Sequence, residues 1–180
     1  VVREIEKSHL NISYVADFDI NDNPSILDNH TAYISMGHDE YWTDAERTSV
    51  IEARNKGTNL VFLGANVAYW NVRLSGAGNQ RRLYIYKNKK LDPDKSNPSI
   101  LFAALGKPES QLTGLDYTCF AAHGTVEIKA PQSFIFKGAP ALTQSDLHSL
   151  VGPEVDQYKK RKNKFQGTIH VLAEAKVSCA

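Results

Sequence analysis

The segment "TDAERTSVIEARNKG", Thr43 to Gly57, constrains the fold most because both of its ends are written into it. Thr43 is a good helix N-cap, and Glu46 three residues on completes a capping box. Gly57 supplies the C-terminal stop, while Val50, Ile51 and Ala53 offer one apolar face. Apolar runs flank this helix: "TAYISM", Thr31 to Met36, before it and "NLVFLGA", Asn59 to Ala65, after it. Strand, helix and strand in that order predict a βαβ unit with two neighbouring parallel strands.

Further upstream, "VVREIEKSHL" is short and amphipathic, "NISYVADF" reads as a strand, and Pro24 in "NPSILDNH" marks a helix start. Beyond Ser75 the pattern loosens. "RRLYIYKN" alternates like an antiparallel edge strand, "KKLDPDKSNP" is a polar turn-rich loop, and "PSILFAALGKPES" has room for a short helix. "TVEIKA" and "SFIFKG" read as two short strands around Pro131. The expectation is one α/β domain over 1–180, with a regular βαβ part at 1–74 and an extension of the same domain at 75–180. The chain opens on Val1 without Met and stops after a strand-like stretch, so it reads as a piece of a longer protein.

Charge excludes some functions. A formal net charge of +1 gives no global field for nucleic acid or an anionic membrane. The basic cluster "KKRKNK", Lys159 to Lys164, lacks interleaved aromatic residues and reads as a solvated loop. No apolar run approaches the roughly 18 residues that span a bilayer. Two cysteines, Cys119 and Cys179, form no disulfide framework; they favour a reducing, cytoplasmic setting and leave room for a single bridge.

Ligands of open parallel sheets bind beyond the carboxyl ends of the strands. Two unusual loops follow the two predicted strands: "GHDEYW" after Met36 and "NVAYW" after Gly64. His38, Asp39, Glu40 and Tyr41 from the first, with Asn66, Tyr69 and Arg73 from the second, include acid–base groups, hydrogen-bond donors and hard oxygen or imidazole metal ligands. The structural alternative is that His38 and Asp39 cap the helix or pin the loop, with Trp42 and Trp70 as packing walls. Nucleophile elbows, phosphate loops and zinc-protease helices are absent. Cys119 and His123 in "DYTCFAAHG" lack a glycine-flanked turn, so Cys119 reads as structural.

In order, "GHDEYW", "GTNLVFLGANVAYWNVR", "LDP", "GKPESQLTGLDY" and "LVGPEVDQY" resemble the C-terminal domain of the large (beta) subunit of N,N-dimethylformamidase, over about Ser13 to Leu172. The resemblance implies a three-layer, flavodoxin-like and glutamine amidotransferase-like α/β domain, with a mainly parallel sheet and an irregular C-terminal extension, lacking a cysteine nucleophile. It also implies a mononuclear ferric iron held by two tyrosinates and a glutamate, which by motif are Tyr41, Tyr69 and Glu154. His38, Asp39, Glu40 and Asn66 would then be supporting or proton-transfer groups. The implied activity is hydrolysis of a small amide or other C–N bond, alongside other domains or a small subunit. A domain that keeps the fold and uses the crevice for binding without metal is the competing expectation.

Overall fold

The computed structural model describes residues 2–138, 147–159 and 165–179. The chain divides into two compact units, Val1–Glu109 and Ser110–Ala180.

In the first unit, α1 (Val2–Lys7) buries none of its residues, and α2 (Asp17–Asp22) buries Ile20. The expected strand "NISYVADF" is therefore not formed. Asp19 accepts a hydrogen bond from the Ala16 N–H at 3.0 Å, and this local bond starts α2 where the alternating pattern pointed to an extended chain. A 3-10 turn follows at Pro24–Leu27. Next come β1 (Ala32–Met36), β2 (Tyr41–Thr43), α3 (Asp44–Asn55), β3 (Asn59–Leu63), β4 (Trp70–Ser75) and β5 (Arg82–Tyr84). Strand β1 pairs with β3 in parallel, Tyr33 opposite Leu60, as the βαβ reading expects. Strand β2 pairs with β4 in parallel across the same helix, and β5 adds to β4 as an antiparallel edge.

The capping box is present. The Thr43 hydroxyl accepts from the Glu46 N–H at 3.0 Å, and Glu46 Oε2 accepts from the Thr43 N–H at 3.3 Å. Helix α3 buries Glu46, Arg47, Ser49, Val50 and Ala53, and packs with α2 and β2 around a core that includes Trp42, Val50, Val67, Val72 and Phe102.

Burial, with the Asp17 and Asp39 carboxylates nearby, pushes Glu46 up to about 9 from an ordinary 4.5. Its folded value lies above its unfolded one, so the native state binds the extra proton. That contribution is complete below the unfolded value and is lost as pH rises through the folded one. Glu46→Gln keeps an oxygen for the cap and removes the titration. It should melt higher than the parent at roughly pH 8.5 and equally at roughly pH 4. Parallel pH dependences of the two melting curves would rule this out.

The second unit has a different construction. After α4 (Ser110–Thr113) come β6 (Asp116–Cys119), β7 (Val126–Ile128), β8 (Val155–Gln157) and β9 (Ala173–Ala175). They pair antiparallel as β6 with β8 and β7 with β9. "SFIFKG" is not a strand but a 3-10 turn at Phe134–Phe136. Residues 160–164 of the basic cluster lie outside the described residues; Lys159 donates to the Tyr117 carbonyl at 3.2 Å. Cys119 and Cys179 form a disulfide, the single bridge for which the sequence leaves room.

The three-layer flavodoxin-like sandwich with a mainly parallel sheet is not what these residues build. A doubly wound parallel sheet is covered by helices on both faces. Here the longest parallel pair has two strands and leaves Ile34 39% and Leu63 48% exposed. Among the described residues the other sheets are separate and small, and three of the five ladders are antiparallel. Most strands are three or four residues long, too short to bury a continuous apolar face, and irregular connections fill the space between them. Among the described residues no helix is long and apolar enough to cross a membrane.

Candidate functional site

The two motif loops of the first unit are fixed against each other by backbone. Gly37, at φ +76°, donates to the Leu63 carbonyl at 3.4 Å. A Cβ on Gly64 would sit 2.1 Å from the Gly37 oxygen, so this approach requires glycine. The Ala68 N–H then donates to the Asp39 carbonyl at 2.9 Å, and the Tyr69 and Trp70 N–H groups both donate to the Glu40 carbonyl, at 3.0 and 2.9 Å. "GHDEYW" and "NVAYW" are thereby stitched side by side, with Tyr41 opposite Trp70 in register.

Within that frame the expected site residues separate. Asp39 is an anchor: its carboxylate accepts from the Ser35 hydroxyl at 2.5 Å and from the Trp42 indole N–H at 2.6 Å. Trp42 is fully buried and stands edge-on to Tyr33, ring centroids 6.4 Å apart. Burial first, then the Asp39 and Glu46 carboxylates, pushes the Tyr33 phenol up. His38 Nε2 lies 3.3 Å from Glu40 Oε2, with the imidazole half exposed and the carboxylate largely covered. Asn66 is buried at φ +61°, in the bend before Tyr69. Tyr69 stands edge-on to Trp70 at 5.6 Å.

Tyr41 alternates with Trp42 along β2, so the two side chains leave opposite faces. Trp42 goes into the core, and the half-buried Tyr41 takes the outer face. There its oxygen accepts from the Lys87 ammonium at 2.8 Å. Lys87 Nζ also lies 4.9 Å from the Tyr41 ring centroid and 4.7 Å from that of Trp70.

Lys87 was not among the residues the sequence singled out, and neither was Asp92. Asp92 is fully buried in what reads as a polar loop. It receives both terminal nitrogens of Arg73, at 2.8 and 2.7 Å, plus the Ser99 N–H and hydroxyl and the Asp94 N–H. The Arg73 guanidinium in particular holds the Asp92 carboxyl well below the usual carboxylate range. Arg73, a candidate for the site by sequence, is thus committed to the loop from Asn88 to Ser99. The available signals were the "LDP" motif of the resemblance and the pattern of turn formers in "DPDKSNPS"; Asp94 accepts from the Ser96 and Asn97 N–H groups as such turns do.

Glu154 belongs to the second unit. It immediately precedes β8, after the Gly152–Pro153 bond, whose proline carbonyl accepts from the Ala122 N–H at 3.0 Å. Among the described residues no group of three or more His, Cys, Asp or Glu is placed to hold a metal ion. The resemblance implies a different donor set, two phenols and one carboxylate. These are hard anionic oxygens of the type that suits ferric iron. Tyr41 already presents its oxygen as an acceptor to a cation, the Lys87 ammonium, and in that respect its chemistry fits the role.

No curated protein matches the chain. A family model described as "N,N-dimethylformamidase beta subunit-like, C-terminal" matches residues 1–180, over the whole of both units, and the chain belongs to that family.

Proposed function

We propose that this domain takes part in hydrolysis of a small linear amide or related C–N bond, as an N,N-dimethylformamidase-like hydrolase domain. In this reading a ferric ion is held by Tyr41, Tyr69 and Glu154. The observation that carries it is the backbone stitching of Glu40 to Tyr69 and Trp70, which sets the two Tyr-Trp pairs of a dimethylformamidase-like family on adjacent chain segments. Bound there, iron would supply Lewis-acid polarisation of the carbonyl or of a water. The chain's own residues supply the rest. His38 and Glu40, 3.3 Å apart at the loop surface, are a pair that can hold and pass a proton at the imidazole Nε2. Asn66 fixes the bend that delivers Tyr69, and Asp39 holds the first loop in place through Trp42. The family description, beta subunit-like, supports further domains or a small subunit as partners of a domain acting on a small-molecule substrate.

The test is metal content with visible absorption. Ferric tyrosinate absorbs in the visible, so a coloured protein with about one iron per chain is expected. Tyr41→Phe and Tyr69→Phe should each lose the iron and the colour while keeping the parent's circular dichroism. Unchanged metal content in both variants would refute the ligand set.

A further inference from the structure

The placement of Lys87 is not explained by packing alone. It is a non-glycine residue at φ +54°, a left-handed conformation that L side chains seldom adopt and that costs on the order of 1 kcal/mol. Its surroundings over-determine it. The Lys87 N–H donates to the Ser99 carbonyl at 2.9 Å, and the Tyr86 N–H donates to the Ser99 hydroxyl at 2.8 Å. Ser99 is itself fully buried and bonded to Asp92, which Arg73 holds from β4. A buried ionic knot therefore fixes the backbone at the base of an exposed lysine.

Like those of Lys95 and Lys159, which meet backbone carbonyls, the ammonium this knot delivers has no carboxylate partner among the described residues, but it differs from them in lying over two aromatic rings. Lys56, Lys107 and Lys129 each meet a carboxylate: Asp28, Asp44, and the pair Glu127 and Glu174. Among the described residues Lys87 meets none. It has one hydrogen-bond acceptor, the Tyr41 oxygen, and the faces of Tyr41 and Trp70. An ammonium has three N–H donors. One is used on Tyr41, so two remain for a ligand, and among the described residues no carboxylate meets this charge. The charged end itself lies over both rings, a cation–π placement that holds the ammonium at the indole face.

We propose that Lys87, with Trp70 and Tyr41, is the anchoring site for the oxygen of a small carboxylate or amide carbonyl whose apolar part lies against the indole. This deepens the amidase reading and, for the amide, rests on it. Water cleaves the amide C–N bond; the acyl carbon gains the water oxygen and the amine leaves with a proton, so the acyl product is a carboxylate. That product carries the charge that Lys87 lacks a partner for. The carboxylate should accordingly bind more tightly than the amide and inhibit as a product. Lys87 makes no covalent bond; it positions.

The experiment titrates acetate, with chloride at equal ionic strength as control, into the protein and follows tryptophan fluorescence. Trp42 is buried, so Trp70 is the reporter. A saturable response is expected in the parent. It should weaken at least about tenfold in Lys87→Met, the worth of one charge-assisted hydrogen bond, and persist in Lys87→Arg. The same response in Lys87→Met, or none in the parent, overturns the proposal. Iron content and the KM for acetamide, measured on the same samples, separate this inference from the function it extends. Iron and amidase activity with an unchanged KM in Lys87→Met would sink the anchor and spare the amidase reading. A Lys87-dependent acetate response in a protein that takes no iron and cleaves no amide would sink the amidase reading and support the anchor.

Discussion

Replacing Cys119 and Cys179 by serine is expected to destabilise the second unit by about 4 kcal/mol, the loop-closure entropy of a link spanning 60 residues. The unit has little else to set against that loss. Among its described residues only Leu112, Ala122 and Val155 are buried apolar side chains, and both ladders are two-stranded, a size that is marginal by itself. The topology raises the cost of opening further. Strand β6 pairs with β8 and β7 with β9, so each ladder closes across a long intervening segment. The bridge joins the end of β6 to the chain just beyond β9 and ties the two ladders into one loop. Hydrogen exchange reads the effect directly. Gly124, bonded to the Val151 carbonyl, and Lys129, bonded to that of Leu172, should exchange about a thousandfold faster in the double serine variant. Exchange at parental rates would show that the bridge is ornamental and that the ladders hold themselves.

How much of this was legible in the sequence depended on the range of the signal. Helix α3 and the parallel pairing of β1 with β3 follow from local marks: Thr43 and Glu46 at one end, Gly57 at the other, and apolar runs on either side. The juxtaposition of the two Tyr-Trp loops followed from the same unit, because one short helix between two strands leaves them as neighbours. Three-residue strands such as β2, β7 and β8 carry no period, and their partners lie far along the chain, so nothing local announces them. "SFIFKG" shows the converse, an apolar run that forms a 3-10 turn with Phe134 and Ile135 exposed. Family membership was carried by the order of short motifs and the three-layer sheet by analogy; the family match bears out the first, and the structure overturns the second. The roles of Lys87 and Asp92 were invisible for a related reason. Each looks like an ordinary loop charge until partners 46 and 19 residues away, Tyr41 and Arg73, are brought to it.

Asp39→Ala and Trp42→Ala are expected to be the most damaging single changes in the first unit, and their combination decides what Asp39 is for. Trp42 is wholly buried, so truncation to alanine should cost about 3–5 kcal/mol through lost transfer energy and the cavity left behind. Removing the Asp39 carboxylate leaves the Trp42 indole N–H and the Ser35 hydroxyl without their acceptor, at about 1–3 kcal/mol for each group that stays buried and unmet. If Asp39 acts as an anchor, the two residues are coupled. Asp39→Ala should then cost much less in a Trp42→Phe background, where no indole N–H waits for an acceptor. Denaturant melts of the four proteins measure this coupling. A catalytic carboxylate with no structural duty predicts the opposite: Asp39→Ala as stable as its parent, and additive with Trp42→Phe. The crowding of "GHDEYW" resolves on the same axis. Alternation along β2 sends Trp42 inward, where its polar edge requires Asp39, and sends Tyr41 outward to Lys87. One stretch thus carries an inner set of groups that holds the loop and an outer set that the proposal assigns to the ligand, and on that proposal only changes to the outer set should alter binding without altering the melt.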